Sequence, residues 1–332
     1  MRIIALLILW SVVPAAFAQD AKLIEAAKKE GRLVLYGTMQ TDIFELLHKS
    51  FHKKTGITID YWRTSATKVT ERALSESRAG KALFDLVMST EDTTRIMLKE
   101  GILAKYDSPM SKDFPKDAID PHLGPRARNH IIGIVYNKEI IKPADAPKTL
   151  EDLVKPQYRG KLVMADPTQH TTTAQWLVNV HKLIGKDKSE KFVRELAAMK
   201  PTLVESFNPA AERVASGEFP IAITYVYYVY LNGIKGAPID YVRTGKFLGD
   251  ASYLTLHNKA PHPNAAKAFI DFFLDEESMS IMAKAGEFVN RKGIYPPVPD
   301  ADKIQFVEMD DLGEKVYAEK RKEFHKLFFA MS

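Results

Sequence analysis

The first third of the chain repeats a pattern of apolar run, polar loop and amphipathic helix three times. Apolar runs at 32–36, 57–62 and 83–88 predict buried strands. The helix that follows each loop ends at a glycine, which is a common stop signal. Because right-handed helical crossovers join parallel strands, this order predicts an α/β fold with a largely parallel sheet.

The three loops after these strands are rich in hydroxyl and other polar side chains. Ligands of such sheets bind beyond the carboxyl ends of the strands, so the loops predict one polar rim of a binding site. The alternative for each Ser or Thr is that it only caps the following helix. The candidates are Thr38, Gln40, Thr64, Ser65, Ser89, Thr90 and Glu91.

Strand and helix patterns resume after an irregular stretch at 106–125. The chain exceeds the length that one core usually holds, which predicts two lobes. We expect a crossing between lobes near residue 130 and a return near residue 250, before a helix with Asn264 as its N-cap. The predicted division is a first lobe at 19–130 plus 250–305, a second lobe at 131–249, and a C-terminal helical segment at 306–332.

The first eighteen residues have the features of a secretory signal peptide. One early arginine precedes an apolar run, and Pro14, Ala16 and Ala18 lead to a predicted cleavage site after Ala18. No later run reaches the roughly 20 apolar residues of a membrane span. The chain contains no cysteine, which excludes disulfides, thiol nucleophiles and a cysteine-borne lipid anchor. A soluble periplasmic protein is therefore expected.

Charge and motifs favour neither a nucleic-acid partner nor catalysis. The formal net charge is only +5 and is spread along the chain, which does not indicate nucleic-acid binding. The usual phosphate, dinucleotide, zincin and serine-elbow motifs do not occur, so no enzyme is predicted. An exported two-lobed α/β hydrolase or transferase is the alternative. His48 and His52 are four residues apart on a predicted helix and could bind a divalent metal ion. Two histidines at this spacing more often lie on a solvent-exposed helix face.

Several segments, taken in order, resemble one known family along most of the chain. The sequence resembles the periplasmic solute-binding proteins of ABC importers, in the branch that includes the ferric-iron binders. The resemblance implies a two-lobed type II periplasmic-binding-protein fold, with two mixed sheets flanked by helices and joined by hinge strands. It also implies a monomer without a resident cofactor that delivers a small ligand to a membrane permease. The segments are LVLYG, KKTGITI, AGKALFDLVMS, GPRARNHIIGIVYN, YRGKLVMADP and APHPNAAK.

Four tyrosines within six residues form the sharpest candidate for ligand binding, at positions 225, 227, 228 and 230. Phenolate oxygen is a hard donor that suits ferric iron. In the ferric-binding branch an adjacent tyrosine pair supplies iron ligands, and the resemblance places Tyr227 and Tyr228 there, with Glu91 at the position of a carboxylate ligand. Strand alternation and helical spacing place Tyr225 and Tyr230 differently, so either could join the pair.

The competing ligand is an organic or phosphorylated anion. Arg126 and Arg128 lie just before the predicted hinge strand, and a guanidinium binds carboxylate or phosphate bidentately. The segment that begins with Asp166 and Thr168 presents backbone amides at a predicted helix N-terminus, which suits an anion. Since the iron branch uses the matching arginine region for a synergistic anion, these residues leave both ligand classes open.

Overall fold

The structure is a computed structural model that describes residues 15–329, with the side chains of residues 15–20 and 314 left out of the description. Residues 1–14, most of the predicted signal peptide, lie outside the described part. None of the helices within that part is long and apolar enough to span a lipid bilayer.

Fourteen strands lie within residues 15–329. They are β1 (Arg32–Gly37), β2 (Thr58–Arg63), β3 (Leu86–Thr90), β4 (Leu103–Ala104), β5 (Ile119–Asp120), β6 (Gly124–Pro125), β7 (Arg128–Asn137), β8 (Leu162–Ala165), β9 (Thr202–Val204), β10 (Ile221–Tyr225), β11 (Ile239–Tyr241), β12 (Lys246–His257), β13 (Phe288–Val289) and β14 (Gln305–Glu308).

Twelve α-helices lie in the same described range. They are α1 (Ala15–Glu30), α2 (Thr41–Thr55), α3 (Ala66–Arg78), α4 (Glu91–Lys99), α5 (Thr171–Asn179), α6 (His181–Ile184), α7 (Lys186–Ala198), α8 (Phe207–Ala215), α9 (Tyr227–Gly233), α10 (Pro263–Phe273), α11 (Glu276–Lys284) and α12 (Gly313–Phe329). Short 3₁₀ helices cover Pro109–Asp113, Lys116–Ala118, Glu151–Val154, Pro156–Tyr158 and Ala301–Lys303.

The N-terminal units form a mixed sheet in the order β2-β1-β3-β12. Strand β1 pairs in parallel with β2 and with β3, while β12 runs antiparallel to β3. Helices α2 and α10 cover one face, where Phe51 and Phe269 are fully buried with ring centroids 5.1 Å apart. The prediction of an α/β fold with helices flanking mixed sheets is confirmed.

Strand β7 belongs to two sheets at once. Its first residues pair antiparallel with β12, from Arg128 opposite Ser252 to Ile131 opposite Gly249. Its remaining residues pair antiparallel with β10, and β10 continues in parallel to β8 and β9. The two long strands β7 and β12 therefore connect an N-terminal sheet to a second mixed sheet, as the predicted hinge strands require.

The C-terminal segment returns along β12 and then packs on the second sheet's helices. Strand β14 pairs in parallel with the start of β12. Helix α12 then buries Phe324, which is 2% exposed, in the same apolar cluster as Trp176 of α5. Arg321 of α12 donates from Nε to the carbonyl of Thr168 at 2.5 Å. The segment predicted as helical at 306–332 thus begins with strand residues.

Two predicted helix starts are wrong in detail. Helix α10 begins at Pro263, so Asn264 lies inside its first turn and is not the N-cap. The carboxylate of Glu30, at the end of α1, accepts the backbone N–H groups of Asn264 and Ala265 at 3.0 and 2.7 Å. A distant carboxylate therefore satisfies the amides that a local N-cap was expected to serve. Asp20 would also be a good N-cap for the helix that ends before Gly31, but α1 begins earlier, at Ala15.

Candidate functional site

Three of the four clustered tyrosines converge at the end of β10. Ring centroids are 5.6 Å apart for Tyr225 and Tyr227 and 4.3 Å apart for Tyr227 and Tyr228. A polar contact between the two side chains acts to raise the pKa of Tyr227 and to lower that of Tyr228. Tyr230 turns away and packs against Gly286, where a Cβ would lie 2.7 Å from its ring. The structure therefore places Tyr225, and not Tyr230, with the adjacent pair.

All three phenols are held in the neutral form. Burial is the main cause that raises the pKa of Tyr225 and of Tyr227 well above 10, and it also raises the pKa of Tyr228. The negative charge of Asp250 adds to the effect at Tyr225, and that of Glu287 adds to it at Tyr227. Asp250 and Glu287 come from β12 and from the segment after α11, so residues outside the second sheet reach this cluster.

A polar pair lies at the hinge, beside the tyrosines. His130 of β7 and Asp250 of β12 are cross-strand partners, with Nδ1 and Oδ1 2.7 Å apart. Both side chains are mostly buried, and the His130 ring lies 5.5 Å from the ring of Tyr225. Burial raises the pKa of nearby Asp92, and the charge of Asp250 contributes in the same direction. Acidic and imidazole groups thus line the hinge side of the site.

Both predicted arginines are buried and ion-paired. Arg126 is 8% exposed and its Nη1 lies 2.5 Å from Oε2 of Glu308. Arg128 is 3% exposed and its Nη1 lies 2.6 Å from Oε1 of Glu287. Among the described residues, the Nε atoms of both arginines have no hydrogen-bond partner. Each guanidinium is therefore neutralised within the protein but keeps one buried donor for another acceptor.

Most of the predicted rim side chains are engaged with their own loops. Ser65 caps α3 weakly, and Ser89 shares a 2.7 Å hydrogen bond with Thr93. Gln40 is exposed at the start of α2 and makes no capping hydrogen bond. Thr90 bonds to Asp92 within the same turn. Of the three hydroxyl residues, Ser65 makes the capping contact, whereas the hydroxyls of Ser89 and Thr90 bond to side chains of α4.

Thr38 and Glu91 differ in whether their side chains are free to bind a ligand. The backbone N–H of Thr38 donates to Met88, but its hydroxyl is buried without a hydrogen-bond partner in the described part of the chain. The carboxylate of Glu91 is held by Arg95, with Nη2 and Oε1 2.5 Å apart. Arg95 also binds Asp120 at 2.8 Å. Glu91 could bind a metal ion only after its ion pair with Arg95 is broken.

The loop before α5 is held by hydrogen bonds between its own residues. Asp166 accepts from the backbone N–H and the hydroxyl of Thr168, both at 2.7 Å. His170 caps α5 by accepting the N–H of Thr173 at Nδ1, and burial lowers the pKa of His170. A polar contact from Thr172 acts to lower the pKa of Tyr225, against the larger effect of burial. This loop therefore contacts the tyrosine cluster through Thr172, which the sequence interpretation did not single out.

The paired histidines of α2 serve the backbone of the next strand. Nε2 of His48 accepts the N–H of Ile59 at 3.2 Å, and Nδ1 of His52 lies 3.1 Å from the carbonyl oxygen of Ile57. Burial is the largest cause that lowers the pKa of His48. Within residues 15–329 no group of three or more His, Cys, Asp or Glu side chains is arranged to hold a metal ion. These histidines thus have a structural explanation.

Sequence reasoning missed His130, Asp250, Glu287 and Tyr61 as residues of the site. The signal that could have found the first two is a polar residue inside each of the two apolar hinge strands. Tyr61 stacks on Phe44 at 3.8 Å between ring centroids, and its hydroxyl donates to the carbonyl of Met39 at 2.7 Å. The positive charge of Arg128 lies close enough to Tyr61 to act on its pKa, although burial dominates and raises that pKa.

Comparison with known proteins places the chain in a family. The profile described as "Bacterial extracellular solute-binding protein" matches residues 82–315. The Fe(3+)-binding periplasmic protein of Serratia marcescens is 22% identical over 286 residues, or 81% of each chain.

Two solved structures show the same fold. Iron-bound HitA from Pseudomonas aeruginosa has a TM-score of 0.73 and 21% identity, covering 88% of this chain and 99% of that one. The periplasmic binding protein AfuA from Actinobacillus pleuropneumoniae, with exogenous fructose-6-phosphate bound, has a TM-score of 0.69 and 22% identity, covering 89% of this chain and 96% of that one. The predicted type II periplasmic-binding-protein fold is confirmed, and nothing supports the alternative of an exported hydrolase or transferase. Because the family profile covers more than half of its length, the chain belongs to the bacterial extracellular solute-binding proteins.

Proposed function

We propose that this solute-binding component of an ABC transporter carries ferric iron, with the hydroxyl oxygens of Tyr227 and Tyr228 as ligands. The observation that carries the proposal is the 4.3 Å separation between the ring centroids of Tyr227 and Tyr228, which places two phenols side by side. A single small cation can contact both oxygens once their protons leave. Tyr225 lies beside the pair and extends the aromatic wall.

The charge of the metal would drive ionisation of the phenols. Burial keeps both tyrosines protonated in the free protein. A trivalent ion favours the phenolate form in the same way that bound cations deprotonate other coordinating groups. Glu91 becomes available as a further ligand only if it leaves Arg95, whereas Glu287 already lies close enough to raise the pKa values of Tyr227 and Tyr228.

Relatives support both ligand classes. The printed names of the Serratia marcescens and Pseudomonas aeruginosa proteins refer to iron, and that of the Actinobacillus pleuropneumoniae protein refers to a sugar phosphate. An anionic metabolite is therefore the second candidate. The observation that favours it is the pair of buried donors, Nε of Arg126 and Nε of Arg128, which have no acceptor among the described residues. The unpartnered hydroxyl of Thr38 is a third such donor.

Binding would bring the two lobes together. We propose one lobe at 19–130 with 250–305 and a second at 131–249, and the passage of β7 and β12 between the two sheets supports this division. Ligand contacts from both lobes favour the closed arrangement, and the ligand shifts the equilibrium by its difference in affinity for the two states. The ring of Tyr225 lies 5.5 Å from that of His130, which is paired with Asp250 of β12, so the tyrosines lie beside the strands that pass between the two sheets.

The cellular setting follows from the family. Solute-binding proteins of importers bind a ligand and deliver it to a membrane permease, which uses ATP through another subunit. We propose that residues 1–18 are removed after Ala18 and that the mature protein acts in the periplasm as a monomer. We also propose that it catalyses no reaction. The ligand-binding residues proposed for this role are Thr38, Gln40, Ser65, Ser89, Glu91, Arg126, Arg128, Asp166, Thr168, Tyr225, Tyr227 and Tyr228.

Titration of metal-stripped mature protein with ferric citrate tests the iron proposal. We expect a visible tyrosinate-to-iron charge-transfer band and, at one hundred times the dissociation constant, about 2.7 kcal/mol of added stability. Tyr227→Phe and Tyr228→Phe should each weaken or remove the band. Tyr230→Phe is the matched control and should leave it unchanged, because Tyr230 packs against Gly286.

A colourless protein with an unchanged melting temperature would rule out iron. The same preparation would then be titrated with fructose-6-phosphate, inorganic phosphate and citrate. Arg128→Gln should abolish binding of any anion that stabilises the wild-type protein. If neither iron nor any of these anions stabilised the protein, both candidate ligand classes would be wrong.

A further inference from the structure

The hinge pair of His130 and Asp250 projects from the sheet on the same face as the tyrosine cluster. Asp250 of β12 lies directly opposite His130 of β7. Two residues farther along β7, Ile132 lies directly opposite Tyr225 of β10. Because alternate residues of a strand point to one face, these side chains share a face. The ring of Tyr225 lies 5.5 Å from that of His130 and 6.4 Å from that of Tyr228, so the imidazole borders the proposed iron site.

The contact with Asp250 determines which nitrogen of His130 carries a hydrogen. Nδ1 lies 2.7 Å from Oδ1 of Asp250, and an ionised carboxylate only accepts, so the hydrogen is on Nδ1. In the neutral imidazole the other nitrogen, Nε2, then has a free lone pair. Within residues 15–329, Nδ1 is the one nitrogen of this ring that has a hydrogen-bond partner. Nδ1 is turned toward β12, so the opposite edge of the ring, which carries Nε2, is directed away from β12, and β10 lies on the other side of β7.

His170, which also lies near the cluster, has the opposite arrangement. Phe207 packs against the rings of both His170 and Tyr225. The backbone N–H of Thr173 can only donate, so Nδ1 of His170 accepts and the hydrogen of the neutral ring is on Nε2. Burial lowers the pKa of His170, which favours this neutral form. While it caps α5, His170 therefore has no lone pair for a metal ion, whereas His130 has one.

We propose that Nε2 of His130 is a further ligand of the ferric ion held by Tyr227 and Tyr228, and that Asp250 is the positioning residue that orients it. Imidazole nitrogen binds iron. Metal-binding histidines nearly always donate the other ring N–H to a carboxylate or a similar acceptor, which fixes the ring and strengthens the ligating nitrogen. This inference rests on the proposed iron function. It attaches the bound ion directly to the two strands that connect the sheets.

Electron spin-echo modulation of the iron-loaded protein tests for the nitrogen ligand. Fe³⁺ bound to imidazole shows modulation from the distant ring nitrogen, whereas phenolate and citrate contain no nitrogen. We expect this modulation in the mature, untagged protein and its loss in His130→Gln, which should keep the tyrosinate charge-transfer band but bind iron about tenfold or more weakly. His122→Gln is the control, because His122 is exposed, and it should change neither the modulation nor the affinity.

Asp250→Asn tests the positioning role. The new amide can donate an N–H to Nδ1 of His130, which moves the ring hydrogen to Nε2 and blocks its lone pair. The affinity for iron, measured by competition with citrate, should fall about 10–100-fold. Circular dichroism checks that each variant is folded. If His130→Gln does not fold, wild-type protein labelled with ¹⁵N-histidine replaces it, and its modulation should change to the ¹⁵N frequencies.

The outcomes separate this inference from the iron proposal. A tyrosinate band without nitrogen modulation, or modulation that persists in His130→Gln, would overturn the inference and leave the iron proposal in place. Unchanged iron affinity in both variants, with lowered melting temperatures, would assign the pair a structural role at the hinge and would also overturn it. Absence of the tyrosinate band from the wild-type protein would overturn both.

Discussion

The guanidinium of Arg128 and the carboxylate of Glu287 form a buried ion pair between β7 and the segment that follows α11. Nη1 and Oε1 are 2.6 Å apart, and the two side chains are 4% and 9% exposed. The pair lies next to the tyrosine cluster, since the charge of Glu287 raises the pKa of Tyr227. It therefore links the hinge strand to the proposed ligand site and also determines how much positive charge a ligand meets there.

Removing one member of this pair should be strongly destabilising. Arg128→Ala leaves the Glu287 carboxylate buried without its cation, and we expect a loss of about 3–5 kcal/mol in the free energy of unfolding, measured by urea denaturation. Arg78→Ala is the control, because Arg78 pairs with Glu100 on the surface, and it should cost less than about 1 kcal/mol. Equal effects of the two substitutions would contradict the burial argument.

Iron binding should release protons. Because burial raises the pKa values of Tyr227 and Tyr228, both phenols are protonated at neutral pH in the free protein. Binding through two phenolates then releases two protons, so the affinity should rise roughly 100-fold for each unit of increasing pH near neutrality. Titration calorimetry in buffers of different ionisation enthalpy measures the number of protons released on binding. Tyr228→Phe should reduce it to one, and no proton release would exclude phenolate ligation.

Glu30 lies at the end of α1, but it should also stabilise the start of α10. It accepts hydrogen bonds from the backbone N–H groups of Asn264 and Ala265 and from the Asn264 side chain. Glu30→Ala should lower the free energy of unfolding by about 1–2 kcal/mol, as loss of a helix cap does. Glu25→Ala, on the exposed side of the same helix, should change it by less than about 0.5 kcal/mol. Thermal denaturation of the two variants makes the comparison.

Two glycines should respond oppositely to alanine. A Cβ at Gly249 would collide with the backbone carbonyl of His130 on the paired strand, and backbone in a ladder cannot move aside. Gly249→Ala should therefore cost at least about 2 kcal/mol. Gly233, at the end of α9, has no atom within 4 Å of the added Cβ. Gly233→Ala should be neutral or stabilising by up to about 1 kcal/mol, and urea denaturation distinguishes the two.

Local patterns in the sequence predicted the elements well. Strand β1 extends the predicted span 32–36 only to Gly37, and β2 at Thr58–Arg63 lies one residue from the predicted 57–62. Strand β3 is displaced, since Leu86–Thr90 replaces the predicted 83–88. Strands and helices of this length are determined by apolar periodicity and glycine stops, which are local properties.

The partners of the charged residues could not be predicted in this way. Arg126 and Arg128 were expected to be free for an anion, yet Glu308 and Glu287 lie 182 and 159 residues away along the chain. The orientation of Tyr230 likewise depends on Gly286. Such contacts arise from the tertiary arrangement, for which a single sequence provides no periodic signal. The exception is the adjacent Tyr227 and Tyr228, whose proximity follows from their positions.

Strand β7 changes its pairing partner across a single peptide bond. Its ladder with β12 ends at Ile131, and its ladder with β10 begins at the next residue, Ile132. A small rotation about the strand axis at this point would turn one sheet relative to the other. The same rotation would be magnified with distance from the axis, so Tyr227 and Tyr228 would travel much farther than the strand itself. Substitutions that stiffen or distort this one peptide junction should therefore alter the rate of ligand capture while leaving both lobes individually folded.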